Sequence, residues 1–225
     1  MPSVPADPHS WNVITVAILA AFFAGLLITD RVALIYATNR VAGQIEDWGF
    51  PAKPQVRIAG FPFLTQVAAR RLTKVVVSAA GKKLGPVEVK RLDVILHGIR
   101  VSSRYRLRAA AELSGTSLIG FTGLAGMAGL PGFTVAADGP DRVKITIGPG
   151  KGIGTASARV TPAGPGGIRL VVISAGGIPM AVLGPLRDIN LPLPALPPGT
   201  TIQDVSVTGQ GVLMHFAGQN VSFGR

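Results

Sequence analysis

Residues 189–223, INLPLPALPPGTTIQDVSVTGQGVLMHFAGQNVSF, decide the fold of this chain. The stretch opens on proline-punctuated apolar residues and reaches Pro197-Pro198-Gly199. Proline holds φ near −65° and glycine enters positive φ at no steric cost, so Pro198-Gly199 predicts a turn. Apolar and polar residues then alternate through Thr201–Thr208, the two-residue period of a half-buried strand. Gly209-Gln210-Gly211 interrupts the alternation and Gly211–Ala217 resumes it. Two such runs around a short glycine turn predict a β-hairpin.

The same period recurs upstream. Gln55–Ala59 opens a β-rich region, and Leu72–Ala79 and Val87–Val101 predict strands. Arg104–Leu113 alternates most cleanly: Arg104, Arg106 and Arg108 face one way, Tyr105, Leu107, Ala109 and Ala111 the other. Further strands are predicted at Phe133–Ala137, Arg142–Ile147, Thr155–Thr161 and Gly167–Ile173. The run 148–154, GPGKGIG, joins two of these and reads as a hairpin turn; 162–167, PAGPGG, is a loose turn, not a domain linker. Prolines at 179, 185, 192 and 194 break residues 176–198 into short helices or extended pieces.

Residues 116–132, TSLIGFTGLAGMAGLPG, place glycine at every third position from 120. The residues between are apolar and nearly proline-free, so this is not a collagen period. It predicts a helix of very low intrinsic propensity. Phe121, Leu124, Met127 and Leu130 are its candidates for lining an apolar cavity, with close helix–sheet packing as the alternative.

Asn12–Ile28, NVITVAILAAFFAGLLI, is an uncharged run of a length that just spans a bilayer. Trp11 marks one interface and Asp30-Arg31 the other. A positive n-region and a clean A-x-A site are both missing, so an uncleaved signal-anchor is favoured over a cleaved leader. Asp30–Trp48 continues as an amphipathic helix with Val32, Ile35, Tyr36, Ala42, Ile45 and Trp48 near one face, expected to pack on a sheet.

Composition narrows the function. Apolar residues make up 48% of the 225, aromatics only 6%, with 29 Gly and 18 Pro, a mixture that suits a β-leaning fold rich in turns. The net charge is +11, and residues 53–108 hold thirteen Lys/Arg against Glu88 and Asp93. That basic region fits an anionic partner, lipid headgroups or nucleic acid, or else a solvated sheet face. The absence of cysteine removes disulfides, thiolate metal sites and thiol nucleophiles. His9, His97 and His215 lack metal-ligand spacing. Neither a nucleophile elbow nor a phosphate-binding P-loop is present, and the acids are scattered. No catalytic residues, metal or cofactor are expected, and an enzyme is disfavoured.

Two landmarks carry a resemblance: Gly60-Phe61-Pro62-Phe63-Leu64-Thr65-Gln66, closing a strand, and the tail Leu191–Phe223 with its Leu-Pro-Pro-Gly and Gly-Gln-Gly-Val elements. Together with the Val87–Val101 strand, in this order behind one hydrophobic helix, they resemble the LmeA-like phospholipid-binding family of actinobacterial envelope proteins. The central glycine-rich segment departs most from that pattern. The resemblance implies a tubular lipid-binding-like fold of α+β, β-rich class, in which a long curved antiparallel sheet wraps an amphipathic helix and encloses an apolar groove. It implies phospholipid as bound ligand, no catalytic motif, and a place on the outer face of the plasma membrane, although the Lys/Arg bias of the flanks nominally points the other way.

The reading is then an anchor, residues 1–30, and a lipid-binding domain, residues 31–225, serving envelope lipid or lipoglycan assembly. Phe61, Phe63 and Leu64 are the candidates for the groove mouth, with core packing as the alternative; Arg104, Arg106 and Arg108 are headgroup candidates. Anionic phospholipid and the membrane are the expected partners, with envelope glycosyltransferases as further candidates. An envelope scaffold without lipid is the main rival. Nucleic acid is not expected, because the basic window holds few aromatics.

Overall fold

The computed structural model describes residues 8–46, 54–84, 87–104, 106–127, 133–147, 154–177, 187–192 and 196–223. In chain order these form helix α1 (Pro8–Glu46), strand β1 (Gln55–Ala59), helix α2 (Phe63–Ala68), β2 (Arg71–Leu84), β3 (Val87–Val101), β4 (Leu107–Ile119) and α3 (Phe121–Met127). Then follow β5 (Phe133–Ala137), β6 (Arg142–Ile147), β7 (Gly154–Pro162), a 3-10 turn at Gly164–Gly166, β8 (Gly167–Gly176), β9 (Asp188–Pro192), β10 (Thr200–Thr208) and β11 (Gly211–Ser222). The fold is β-rich, antiparallel and preceded by one apolar helix, as expected. Where the resemblance implied one long sheet, the strands divide into two. A six-stranded sheet A runs β1-β2-β3-β4-β11-β10 and a five-stranded sheet B runs β5-β6-β7-β8-β9.

The C-terminal hairpin folds as its turn residues dictate. Thr208 pairs with Gly211 across a two-residue turn. Gly211 has φ 150°, and a side chain there would strike the Ile119 carbonyl. That close approach lets β11 pair with β4, so the chain's last hairpin completes the sheet begun by β1–β4. Pro197–Thr200 is the expected turn: Gly199 has φ 91° and the Thr200 N–H donates to the Pro197 carbonyl at 3.1 Å. Sheet B is made by the chain between β4 and β10, and the Val207 N–H of β10 donates to the Pro140 carbonyl at 2.6 Å.

Two apolar clusters result. The larger lies between the sheets, with Val143, Ala158, Ile168 and Val212 each 0% exposed, joined by Ile119 and Leu124. The smaller lies under β1–β4 and the end of β11, and takes in Val56, Leu96, Ile99, Leu113, Phe216 and Ala42 of α1.

Three sequence expectations are corrected. The strand expected from Arg104 begins at Leu107. Ser102 and Arg106 are instead bonded to each other: the Ser102 N–H donates to the Arg106 carbonyl at 2.8 Å and the Arg106 N–H to Ser102 Oγ at 3.1 Å. The glycine-rich helix starts only at Phe121, because Thr116–Ile119 are held in β4 by ladders to both β3 and β11, and residues 128–132 lie outside the described residues. Bonding on two sides outcompetes a helix of low propensity. Finally, α1 runs on from the apolar segment as expected, but its packed side is not the large-residue side. Val32, Ile35 and Tyr36 are exposed, whereas Asp30, Ala33, Leu34, Ala37, Thr38 and Ala42 are turned inward. That stripe repeats at three- and four-residue steps and is mostly small, which permits close approach of helix to sheet. The side chains of Trp11, Ile45 and Trp48 and the runs 148–153, 178–186 and 193–195 lie outside the described residues.

Candidate functional site

Strand register sorts the side chains of sheet A onto two faces. One row across it reads Val56, Val77, Val94, Gly115, Phe216, Ile202. The next row on the same face reads Ala79, Leu92, Ser117, Met214, Val205. On the other side of the first row lie Ile58, Val75, Leu96 and Leu113. All but Ser117 and Gly115 are apolar, and the Phe216 ring lies where a Gly115 side chain would stand. Six strands at about 4.8 Å spacing make this face roughly 24 Å wide.

Cover over this face is uneven. Sheet B and α3 bury the β10–β11 part, where Ile202, Val205 and Met214 are all below a tenth exposed, while Phe216 is buried in the smaller cluster. Over β2 and β3, Val77, Leu92 and Val94 remain only partly buried. Leu92 packs against both clusters, so the open strip runs between them. The opposite face is mixed and carries an open depression of about 430 Å³ lined by Asp93, Ile95, Thr116, Gln203, His215 and Ala217 among others. Among the described residues, no group of three His, Asp or Glu could hold a metal ion.

The Gly60–Gln66 motif occupies one end of sheet A, just past β1. Gly60, at φ 116°, lets the chain turn under the Gln66 side chain. Gln66 Oε1 accepts from the Thr73 N–H at 2.9 Å and so ties α2 to β2. Phe63 points inward and is 4% exposed, while Phe61 and Leu64 are 57% and 37% exposed. The Leu64 N–H donates to Asp30 Oδ1 at 2.8 Å, and the Arg31 guanidinium sits 5.3 Å above the Phe61 ring. Asp30 is 3% exposed and, among the described residues, its Oδ2 has no hydrogen-bond partner.

The structure thus separates the residues singled out from sequence. Phe61 and Leu64 share an exposed tip, and Phe63 and Leu124 are interior. Phe121 is partly buried against the larger cluster. The side chain of Met127, and Leu130 altogether, lie outside the described residues. Arg104, Arg106 and Arg108 are exposed around the β3–β4 turn. Sequence reading missed Val77, Leu92 and Val94, although alternation in β2 and β3 was their signal. It also missed Asp30 as a contact, because an acid after an apolar run reads as a membrane boundary. At the edge of sheet B, the hydrogen bond from Arg169, then its charge, hold the Asp188 carboxyl below the usual carboxylate range.

Fold and face define a β-sheet protein with an apolar surface that its described residues cover only in part. The family model of LmeA-like phospholipid-binding proteins matches residues 28–217, and the chain belongs to that family. No curated protein and no solved structure matches it. The matched region begins at the end of the uncharged run and takes in the Gly60–Gln66 motif and the C-terminal hairpin as far as Ala217.

Proposed function

We propose that this chain is a membrane-anchored, extracytoplasmic, non-enzymatic phospholipid-binding protein. It holds acyl chains against the open strip of sheet A during envelope lipid or lipoglycan assembly. The observation that carries this reading is the apolar face whose middle, at Val77, Leu92 and Val94, the described residues leave partly open. One leaflet of a ~30 Å hydrocarbon core is about 15 Å deep. An acyl chain of that length fits within the face, and each buried CH₂ contributes about 0.8 kcal/mol. Family membership supports phospholipid as the ligand.

The anchor reading rests on α1. Its stretch Leu19–Asn39 is long and apolar enough to cross a membrane, and every residue from Leu19 to Thr29 is exposed. Placing the span at Asn12–Ile28 keeps Asp30 and Arg31 at the boundary. A charge at the bilayer centre costs at least about 2.5–3.5 kcal/mol.

A photoactivatable diazirine phospholipid tests the ligand site on the full chain in nanodiscs. Peptides of β2 and β3 containing Val77, Leu92 and Val94 become labelled, and those of β6–β8 do not. Labelling of α1 alone would remove the acyl site. A phosphatase fused after Arg225 is active outside the cytoplasm; activity confined to a cytoplasmic reporter refutes the sidedness. Release by alkaline extraction, as a chain shortened at its N-terminus, would mean a cleaved leader.

A further inference from the structure

The end of sheet A that carries Phe61 and Leu64 also gathers positive charge. Register brings Arg71 directly opposite Arg100, which in turn faces Ala109 beside Arg108. Arg70 is joined to the same corner, its carbonyl accepting from the Val101 N–H at 3.1 Å. Arg104 and Arg106 lie in the turn between β3 and β4. All six are exposed, and among the described residues none of them forms an ion pair.

This arrangement costs folding free energy. Like charges directly opposite across a ladder repel. Arg70 has φ 55°, the left-handed region where glycine or asparagine is the usual occupant. Strain and unrelieved repulsion at one exposed corner call for a function that offsets them.

Helix α1 shows which surface that corner meets. Ala42 packs with Val56 partway along β1, and Asp30 bonds Leu64 beyond the end of β1. The helix therefore runs toward the arginine end, and the exposed segment Leu19–Thr29 projects past it. Sheet B lies against the other end.

We infer that this end of sheet A docks on the anionic headgroups of the same bilayer that takes α1, with Phe61 and Leu64 entering the interface and the six arginines contacting lipid phosphates. Asp30 and Arg31 hold the tip level with the point where the helix leaves the apolar layer. Docking in this pose stands the strands of sheet A on the membrane, with the smaller apolar cluster between the lipid surface and the open strip. The inference rests on the membrane-anchor reading, but not on the acyl chain site.

The chain has no cysteine, so a single one gives a unique label. The full chain carrying Leu64→Cys, with an environment-sensitive fluorophore, is placed in phosphatidylcholine nanodiscs with or without phosphatidylglycerol. A control carries Gln210→Cys in the turn at the far end of sheet A. In anionic discs a lipid-borne quencher dims the Leu64→Cys label and leaves the Gln210→Cys label bright. Removing arginines as Arg71→Gln and Arg100→Gln lowers the docked-to-undocked ratio roughly fivefold each, and salt does the same. Arg70→Gly relieves the backbone strain, so it lowers docking while holding or raising the denaturation midpoint. A merely structural arginine would not separate the two. A Leu64→Cys label that stays open to aqueous iodide in anionic discs, or quenching indifferent to these substitutions, overturns the docking. If the chain fails to enter discs at all, the anchor reading falls with it; entry with an accessible label overturns docking alone.

Discussion

The apolar face of sheet A meets two different fates. Toward sheet B it is closed: Val212 and Ile168 from opposing sheets are both 0% exposed. Toward α1 it is only half closed, with Val77 and Val94 partly open beside fully buried Ile99 and Leu96. The strands on both sides show the same alternation. The difference lies in what is laid over them, a second sheet at one end and a narrow stripe of small helix residues at the other. An apolar pattern therefore marks a face that something must cover, without saying whether the cover is protein or ligand.

The largest effect is expected where the contrast is sharpest within one motif. Phe63→Ala should cost about 3–5 kcal/mol in denaturant unfolding of the full chain, and Phe61→Ala less than about 1 kcal/mol. Equal losses would mean that Phe61 is also covered. Next, Ile168→Ala between the sheets should cost about 2–5 kcal/mol. Val94→Ala should cost less than half as much while reducing phospholipid labelling of β3, because water already reaches that methyl pair. A Val94→Ala loss matching that of Ile168→Ala would show the strip to be closed core and erase the comparison.

Asp30 measures how firmly the half-open end is pinned. Asp30→Ala orphans the Leu64 N–H and should cost about 1–3 kcal/mol, while Asp30→Asn retains an oxygen acceptor and should cost little. Hydrogen exchange at Leu64 distinguishes the two variants; unchanged protection in Asp30→Ala would remove the latch.

The smallest effect is at the edge of sheet B. The Asp188 carboxyl titrates below its ordinary range when folded, so its pairing with Arg169 stabilises above the unfolded carboxylate pKa. That contribution fades as pH falls through the folded value. Both groups are solvent-exposed, so the change is slight. Asp188→Asn should show no such acid-side component in its unfolding midpoint, and a wild-type curve indistinguishable from the variant's would mean that the pair adds nothing.

Much of the strand plan was legible in the residues. Gln55–Ala59, Val87–Val101, Phe133–Ala137 and Arg142–Ile147 form strands with the boundaries that alternation and flanking turn residues predict. The candidate site was legible only in part. Large aromatic and aliphatic residues drew attention to Phe61, Phe63 and Leu64, yet the structure splits them between surface and interior. The Arg104–Arg108 alternation was genuine as a pattern but fell across a turn, because local hydrogen bonds at Ser102 and Arg106 close the chain there.

By itself the sequence determined the β-rich class, the C-terminal hairpin, the uncharged helical run and the basic excess, because each depends on neighbours a few positions apart. Only the tertiary structure decided that β11 returns to β4, that the intervening chain becomes a second sheet, and that Arg71 faces Arg100. Only it decided which side of α1 packs and which part of the apolar face stays open. Those outcomes turn on contacts between residues far apart in the chain, where burial available elsewhere in the fold outweighs the local pattern.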